Sequence, residues 1–163
     1  MPRKIATLSK KLVLPVLAFF LLLSCSKDDD KAPEITPIPT VPSFLKVTIG
    51  GTVYNFNKFT VQETTVVEPD YTYVDMTVTA TIVGDDTKEF TFSLEKNVPG
   101  PETIYYFYYY NGTEFDTDHD GEFNANVTVN AGNRIIGTFS GTLGNFDGGE
   151  TIQLQNGSFD ITY

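Results

Sequence analysis

The stretch "YVDMTVTATIVGDDTKEFTFSLE", residues 73–95, alternates apolar and polar side chains on both sides of a Gly-Asp-Asp interruption. Val74, Met76, Val78, Ala80 and Ile82 share one face of an extended chain, and Asp75, Thr77, Thr79 and Thr81 share the other. Phe90, Phe92 and Leu94 resume the pattern after the interruption. Side chains of a strand point alternately to its two faces, so a period of two describes a strand with one face in a core and one in water. Gly84-Asp85-Asp86 supplies turn chemistry between the two runs, and the stretch predicts an antiparallel hairpin.

The same period extends outward in both directions. Leu45, Val47 and Ile49 precede the hairpin; Phe123, Ala125, Val127 and Val129, then Ile135, Phe139 and Leu143, then Phe159, Ile161 and Tyr163 follow it. The intervening positions are polar, as in Asn124, Asn126, Thr128 and Asn130. Turn signals separate the runs at Gly50-Gly51, Pro99-Gly100-Pro101, Asn111-Gly112, Gly132-Asn133, Gly148-Gly149 and Asn156-Gly157. No part of residues 44–163 carries a helical period. The expectation is one all-β domain over residues 44–163, an antiparallel β-sandwich or partly closed barrel of about eight or nine strands. A chain of this length buries around two thirds of its unfolded surface and needs no disulfide or metal staple.

One run departs from the alternation. "TIYYFYYYNG", residues 103–112, places six aromatic rings at consecutive positions. Strand geometry puts Tyr105, Phe107 and Tyr109 on one face, and these are expected in the core, where they fill spaces beside Gly137 and Gly141. Tyr106, Tyr108 and Tyr110 then face outward. A row of tyrosines suits a glycan or protein ligand, since the rings stack on sugar faces and the hydroxyls bond to sugar hydroxyls. Cover by a loop, pairing with cross-strand threonines, or the lining of a lipocalin-like carrier are the competing readings.

The N-terminal stretch reads as a targeting segment. Arg3, Lys4, Lys10 and Lys11 precede the apolar run Leu12 to Leu23, which is too short for a membrane span and has the form of a signal peptide over residues 1–24. "LLLSC", ending at Cys25, resembles a bacterial lipobox. That resemblance implies cleavage before Cys25, lipidation of its thiol and attachment to the membrane by acyl chains. The chain has one cysteine, whereas exported domains use cysteines in pairs, which agrees with a lipid role. Lys27, Asp28 and Asp29 follow in a tract similar to the export signal of surface lipoproteins of the Bacteroidota. The similarity implies a lipid-anchored outer-membrane protein facing the extracellular side. Residues 25–43, with Pro33, Pro37, Pro39 and Pro42, make an acidic and Pro-rich stalk.

Removal of the signal leaves seven Lys and Arg against 21 Asp and Glu, a net charge of −14. Such a charge opposes nucleic acid, which requires a basic footprint. Asp116, Asp118 and Asp120, followed by Gly121, resemble the opening of a calcium loop, although the twelfth position holds Val127 where an EF-hand places a bidentate carboxylate. Calcium is thus the one cofactor the sequence suggests. The only histidine, His119, sits in this acidic loop, and the lone cysteine is committed to lipid, so no catalytic constellation is expected.

Gly137, Thr138, Phe139, Ser140 and Gly141, with Gly157, Phe159 and Ile161, carry a resemblance to small Bacteroidota lipoproteins of a domain-of-unknown-function family. It transfers no catalytic residue. The expected function is a non-catalytic surface lipoprotein serving as an interaction or envelope-structural module. The alternatives are a carbohydrate-binding module working through Tyr106, Tyr108 and Tyr110, and a carrier of small ligands.

Overall fold

Residues 42–119 and 122–163 are described by a computed structural model, and they fold as strands. These are β1 (Phe44–Ile49), β2 (Thr52–Phe56), β3 (Lys58–Val67), β4 (Thr72–Ile82), β5 (Asp85–Glu95), β6 (Gly100–Pro101), β7 (Ile104–Tyr110), β8 (Glu114–Asp116), β9 (Phe123–Ala131), β10 (Arg134–Asn145) and β11 (Thr151–Thr162). The signal peptide, Cys25, Lys27, Asp28, Asp29, most of the stalk and Asp120 lie outside the described residues.

The strands pair antiparallel in the order β2-β1-β11-β10-β8-β7-β5-β4-β3, with β9 beside β10 and β6 beside β9. Some neighbours in sequence are continuations of one another. Only Asn57 separates β2 from β3, and short breaks separate β6 from β7 and β8 from β9. The eleven strands therefore belong to eight runs, each paired with the next, and the first run returns to the last through β1 and β11. The ladder is not closed, because β2 and β3 stand at its two ends. Those ends are nonetheless one piece of chain turning a corner. The Asn57 amide donates to the Thr81 carbonyl at 3.1 Å and its Oδ1 accepts from the Val83 amide at 2.9 Å, pinning the corner to the end of β4. The all-β expectation holds, and the architecture is that of a partly open barrel.

Turn chemistry sets the hairpins. Gly50 and Gly51, at φ 57° and 81°, and Gly132 and Asn133, at 62° and 59°, occupy the two positive-φ positions of tight turns whose twist matches the flanking strands.

The interior is packed with rings. Phe90, Phe92, Phe107 and Tyr109 are buried beside Phe139 and Phe159. Between β10 and β11 the packing is reciprocal: Gly137 stands opposite Phe159, and Phe139 opposite Gly157. Each ring lies over the glycine across from it. A Cβ on Gly157 would sit 2.6 Å from Phe139 ring carbons and 2.6 Å from the Phe139 carbonyl oxygen. This is the aromatic cover of strand glycines that pins register.

Three expectations change. Tyr105 is 55% exposed, outside the core, because the β5–β7 ladder shifts between Ser93–Tyr106 and Leu94–Ile104, and the extra residue turns Tyr105 outward. Asn130 is buried, because a similar shift between Ile136–Val129 and Gly137–Val127 inverts the end of β9. Its Nδ2 donates to the carbonyls of Glu95 and Val98 at 2.8 and 3.1 Å. The glycines of β10 and β11 receive Phe139 and Phe159, not the rings of β7, and Gly141 faces the backbone of Glu122 and Phe123.

Gly157→Ala should lower stability by about 1–3 kcal/mol, the cost of forcing a methyl group into a packed contact. A urea titration would show a lower midpoint with unchanged slope. A midpoint equal to that of the parent chain would mean that the β10–β11 approach is looser than described.

Candidate functional site

Tyr106, Tyr108 and Tyr110 lie on the outer wall of β7, as alternation places them. Phe107 and Tyr109, between them, point into the barrel. Tyr106 stands opposite Ser93, Tyr108 opposite Thr91 and Tyr110 opposite Glu89 on β5; on the other side Tyr108 meets Asp116 and Tyr110 meets Glu114 on β8. Ser93 and Thr91 continue the wall across β4 through hydroxyl contacts with Thr77 at 3.4 Å and Thr79 at 3.3 Å. The tyrosines thus belong to a lattice of hydroxyl groups edged by carboxylates. Pairing with cross-strand threonines is part of what holds them.

Exposure along the row is uneven. Tyr106 and Tyr108 are half-buried, whereas Tyr110 is exposed. Burial raises the Tyr108 phenol to about 12, and the Glu114 carboxylate adds to the effect. Tyr106 is raised by burial and then by Asp116, Asp118 and Glu114. Both phenols stay neutral in the physiological range, so each can donate as well as accept a hydrogen bond.

The outward turn of Tyr105 lengthens this wall. Its hydroxyl donates to Asp75 Oδ1 on β4, and burial followed by this bond raises its pKa. Tyr71, just before β4, stacks on Tyr73 of β4 with centroids 5.5 Å apart, and Tyr71 is 62% exposed. The spacing of Ile104 and Phe107 was the available signal for Tyr105. Two apolar residues three apart cannot both face the core of a regular strand, so a slip between them is required.

The acidic loop is seated on β10. Gly144 lies under the His119 backbone and Gly141 under that of Glu122, and the Thr142 amide donates to the Glu122 carbonyl at 2.8 Å. Side chains at either glycine would lift the loop. Asp116 Oδ1 accepts from the Asp118 amide at 3.0 Å and meets His119 Nδ1 at 2.5 Å. The His119 ring packs edge-on against Phe146 at 5.4 Å. Of the expected calcium ligands, then, Asp116 is engaged within the loop and Asp118 is exposed. Among the described residues, no three His, Cys, Asp or Glu side chains gather as a metal site.

Compared with models of known protein families, with curated proteins and with solved structures, the chain matches none.

A calcium ion at this loop would have to be shared between Asp116, whose Oδ1 is already engaged by the Asp118 amide and His119, and Asp118. Calorimetry of the full chain should give heat at millimolar calcium, abolished in Asp118→Ala. A flat titration of the parent chain would remove calcium from the account of this loop.

Proposed function

We propose that this protein is a lipid-anchored binding module that faces the cell exterior and meets its ligand on the outer wall of the barrel. The observation that carries the reading is the direction of the aromatic residues. Phe90, Phe92, Phe107, Phe139 and Phe159 fill the interior together with Tyr109, while Tyr105, Tyr106, Tyr108 and Tyr110 are turned out onto a hydroxyl-rich surface. A carrier needs a lumen, and here the lumen is occupied by Phe90, Phe92, Phe107, Phe139 and Phe159. The anchor rests on Cys25 and the export tract on Lys27, Asp28 and Asp29, both read from sequence. Stable attachment by acyl chains and a proline-rich stalk would hold the wall clear of the membrane.

The chemistry of the wall favours a carbohydrate among possible ligands. Tyrosine rings offer apolar faces for sugar C–H groups, and neutral phenols beside Thr91, Ser93 and Glu114 offer donors and acceptors for sugar hydroxyls. The acidic balance of the chain leaves nucleic acid outside the ligand classes.

Two experiments test the parts separately. Cys25→Ser should shift the protein from the membrane fraction to the soluble fraction, and Ala at Lys27, Asp28 and Asp29 should reduce its cleavage by protease added to intact cells. A Cys25→Ser chain that stays in membranes would contradict the anchor. Native gels containing neutral polysaccharides should retard the full chain in detergent, and a triple Ala variant at Tyr106, Tyr108 and Tyr110 should run more freely. Equal retardation of the two would exclude the tyrosine row as the contact.

A further inference from the structure

We infer that a second recognition site, for a neutral oligosaccharide, lies on the wall formed by β9, β10 and β11. It shares with the tyrosine reading only the premise that the outer wall binds.

The site begins with an irregularity in β11. On the β1 side its register jumps between Lys46–Ser158 and Thr48–Gln155, and on the β10 side between Phe139–Gly157 and Gly141–Leu154. Between these pairs one residue on each neighbour faces two on β11, so one extra residue is inserted against both partners at once. Asn156 adopts φ 53° there, a left-handed conformation that asparagine tolerates better than most residues and that carries a cost. A bulge re-aims side chains and bends its strand. Here it opens a shallow groove of about 850 Å³.

The lining has a consistent chemistry. Asn124 and Asn126 reach it from β9, Thr138 and Ser140 from β10, and Asn156 and Ser158 from β11. Pro101, Ala125, Phe139 and Gly157 complete its lining and give it an apolar component between these polar groups. No lining residue is ionisable, in a chain whose formal net charge is −10. An adjoining depression of about 500 Å³ shares Asn124, Ser140 and Asn156 and continues to Gln153 and Gln155, with Glu122 as the one ionisable residue in its lining.

This composition selects the ligand class. Anions call for Arg or Lys, and hard cations call for carboxylates; the groove lined by the Asn156 bulge offers neither. Amides and hydroxyls both donate and accept, which is the requirement of a molecule whose own surface is hydroxyl groups. An extended peptide would recruit backbone groups at a strand edge. Beside the groove that route is closed, because β10 is paired on both sides by β9 and β11 and β11 by β10 and β1, and the outer edge of β9 is taken at Asn126 and Val127 by β6 and at Ala125 by the Glu102 amide. Recognition must therefore pass through side chains, and a neutral polyhydroxyl ligand fits them.

The test uses native gels of the full chain in detergent containing dextran, laminarin, xylan or galactomannan, with polygalacturonate as the anionic comparison. At least one neutral polymer should retard the chain. The pair Asn124→Ala and Asn156→Gly, in which glycine preserves the positive φ, should weaken that retardation about tenfold, as expected for two lost hydrogen bonds. Asn126→Ala alone, at an exposed strand position, serves as the check on folding and should weaken it by a smaller factor. Retardation by no neutral polymer, retardation by polygalacturonate alone, or unchanged binding in both groove variants would overturn the proposal. The tyrosine variant separates the two readings: loss in that variant with full binding in the groove variants assigns the glycan to β7 and removes this groove.

Discussion

The exchange of rings and glycines between β10 and β11 governs the rest of the molecule. Phe139 can lie flat over Gly157, and Phe159 over Gly137, only because neither glycine has a Cβ to hold the ring away. Lying flat, each ring reaches across the interior. Phe139 meets Phe107 at 4.8 Å and Phe159 meets Phe92 at 5.2 Å, while Phe92 and Phe107 stack at 5.7 Å with an interplanar angle of 7°. The four rings form a circuit joining β5, β7, β10 and β11. Each such pair adds about 0.5–1.5 kcal/mol beyond its burial. Two glycines thus let opposite walls be tied through the middle by packed rings.

The ends of the open ladder are managed by a second constraint. A strand that ends at a sheet edge leaves unpaired backbone groups. In this chain the two ends of the ladder, β2 and β3, are halves of one run, and Asn57 fastens the corner by both its amide and its side chain. The first half pairs with β1 and the second with β4, so the same run serves both ends of the ladder.

The sequence made the strands legible because a buried face must repeat every two residues, and Val74 to Ile82 or Phe90 to Leu94 do so without exception. It was less informative wherever one residue was inserted. Alternation assigned Tyr105 to the core and Asn130 to solvent, and each assignment failed one position beyond a shift in register. The first shift left a trace in the odd spacing of Ile104 and Phe107; the second left none, since the Asn130 Nδ2 finds its acceptors in the distant turn at Glu95 and Val98. The glycines of β10 were visible as vacancies, but their occupants were not. Gly141 and Gly144 accept the backbone of the acidic loop, and backbone has no sequence signature.

Three of the register irregularities differ in what their displaced residues meet. Asn130 turns inward and holds the turn after β5, so its bulge serves the fold. Tyr105 turns outward and gives its hydroxyl to Asp75, so its bulge serves the wall while extending the row of phenols. Asn156 turns outward at a groove lined by uncharged amides and hydroxyls. Bulges also help strands coil, and that need is met at any point along β11. Placing the bulge where Asn124, Asn126, Thr138, Ser140 and Ser158 line the groove does more than bend a strand: it adds a sixth hydrogen-bonding side chain to a stretch of wall without ionisable groups. With the interior filled by rings, a surface of this kind is where the fold can still be selective.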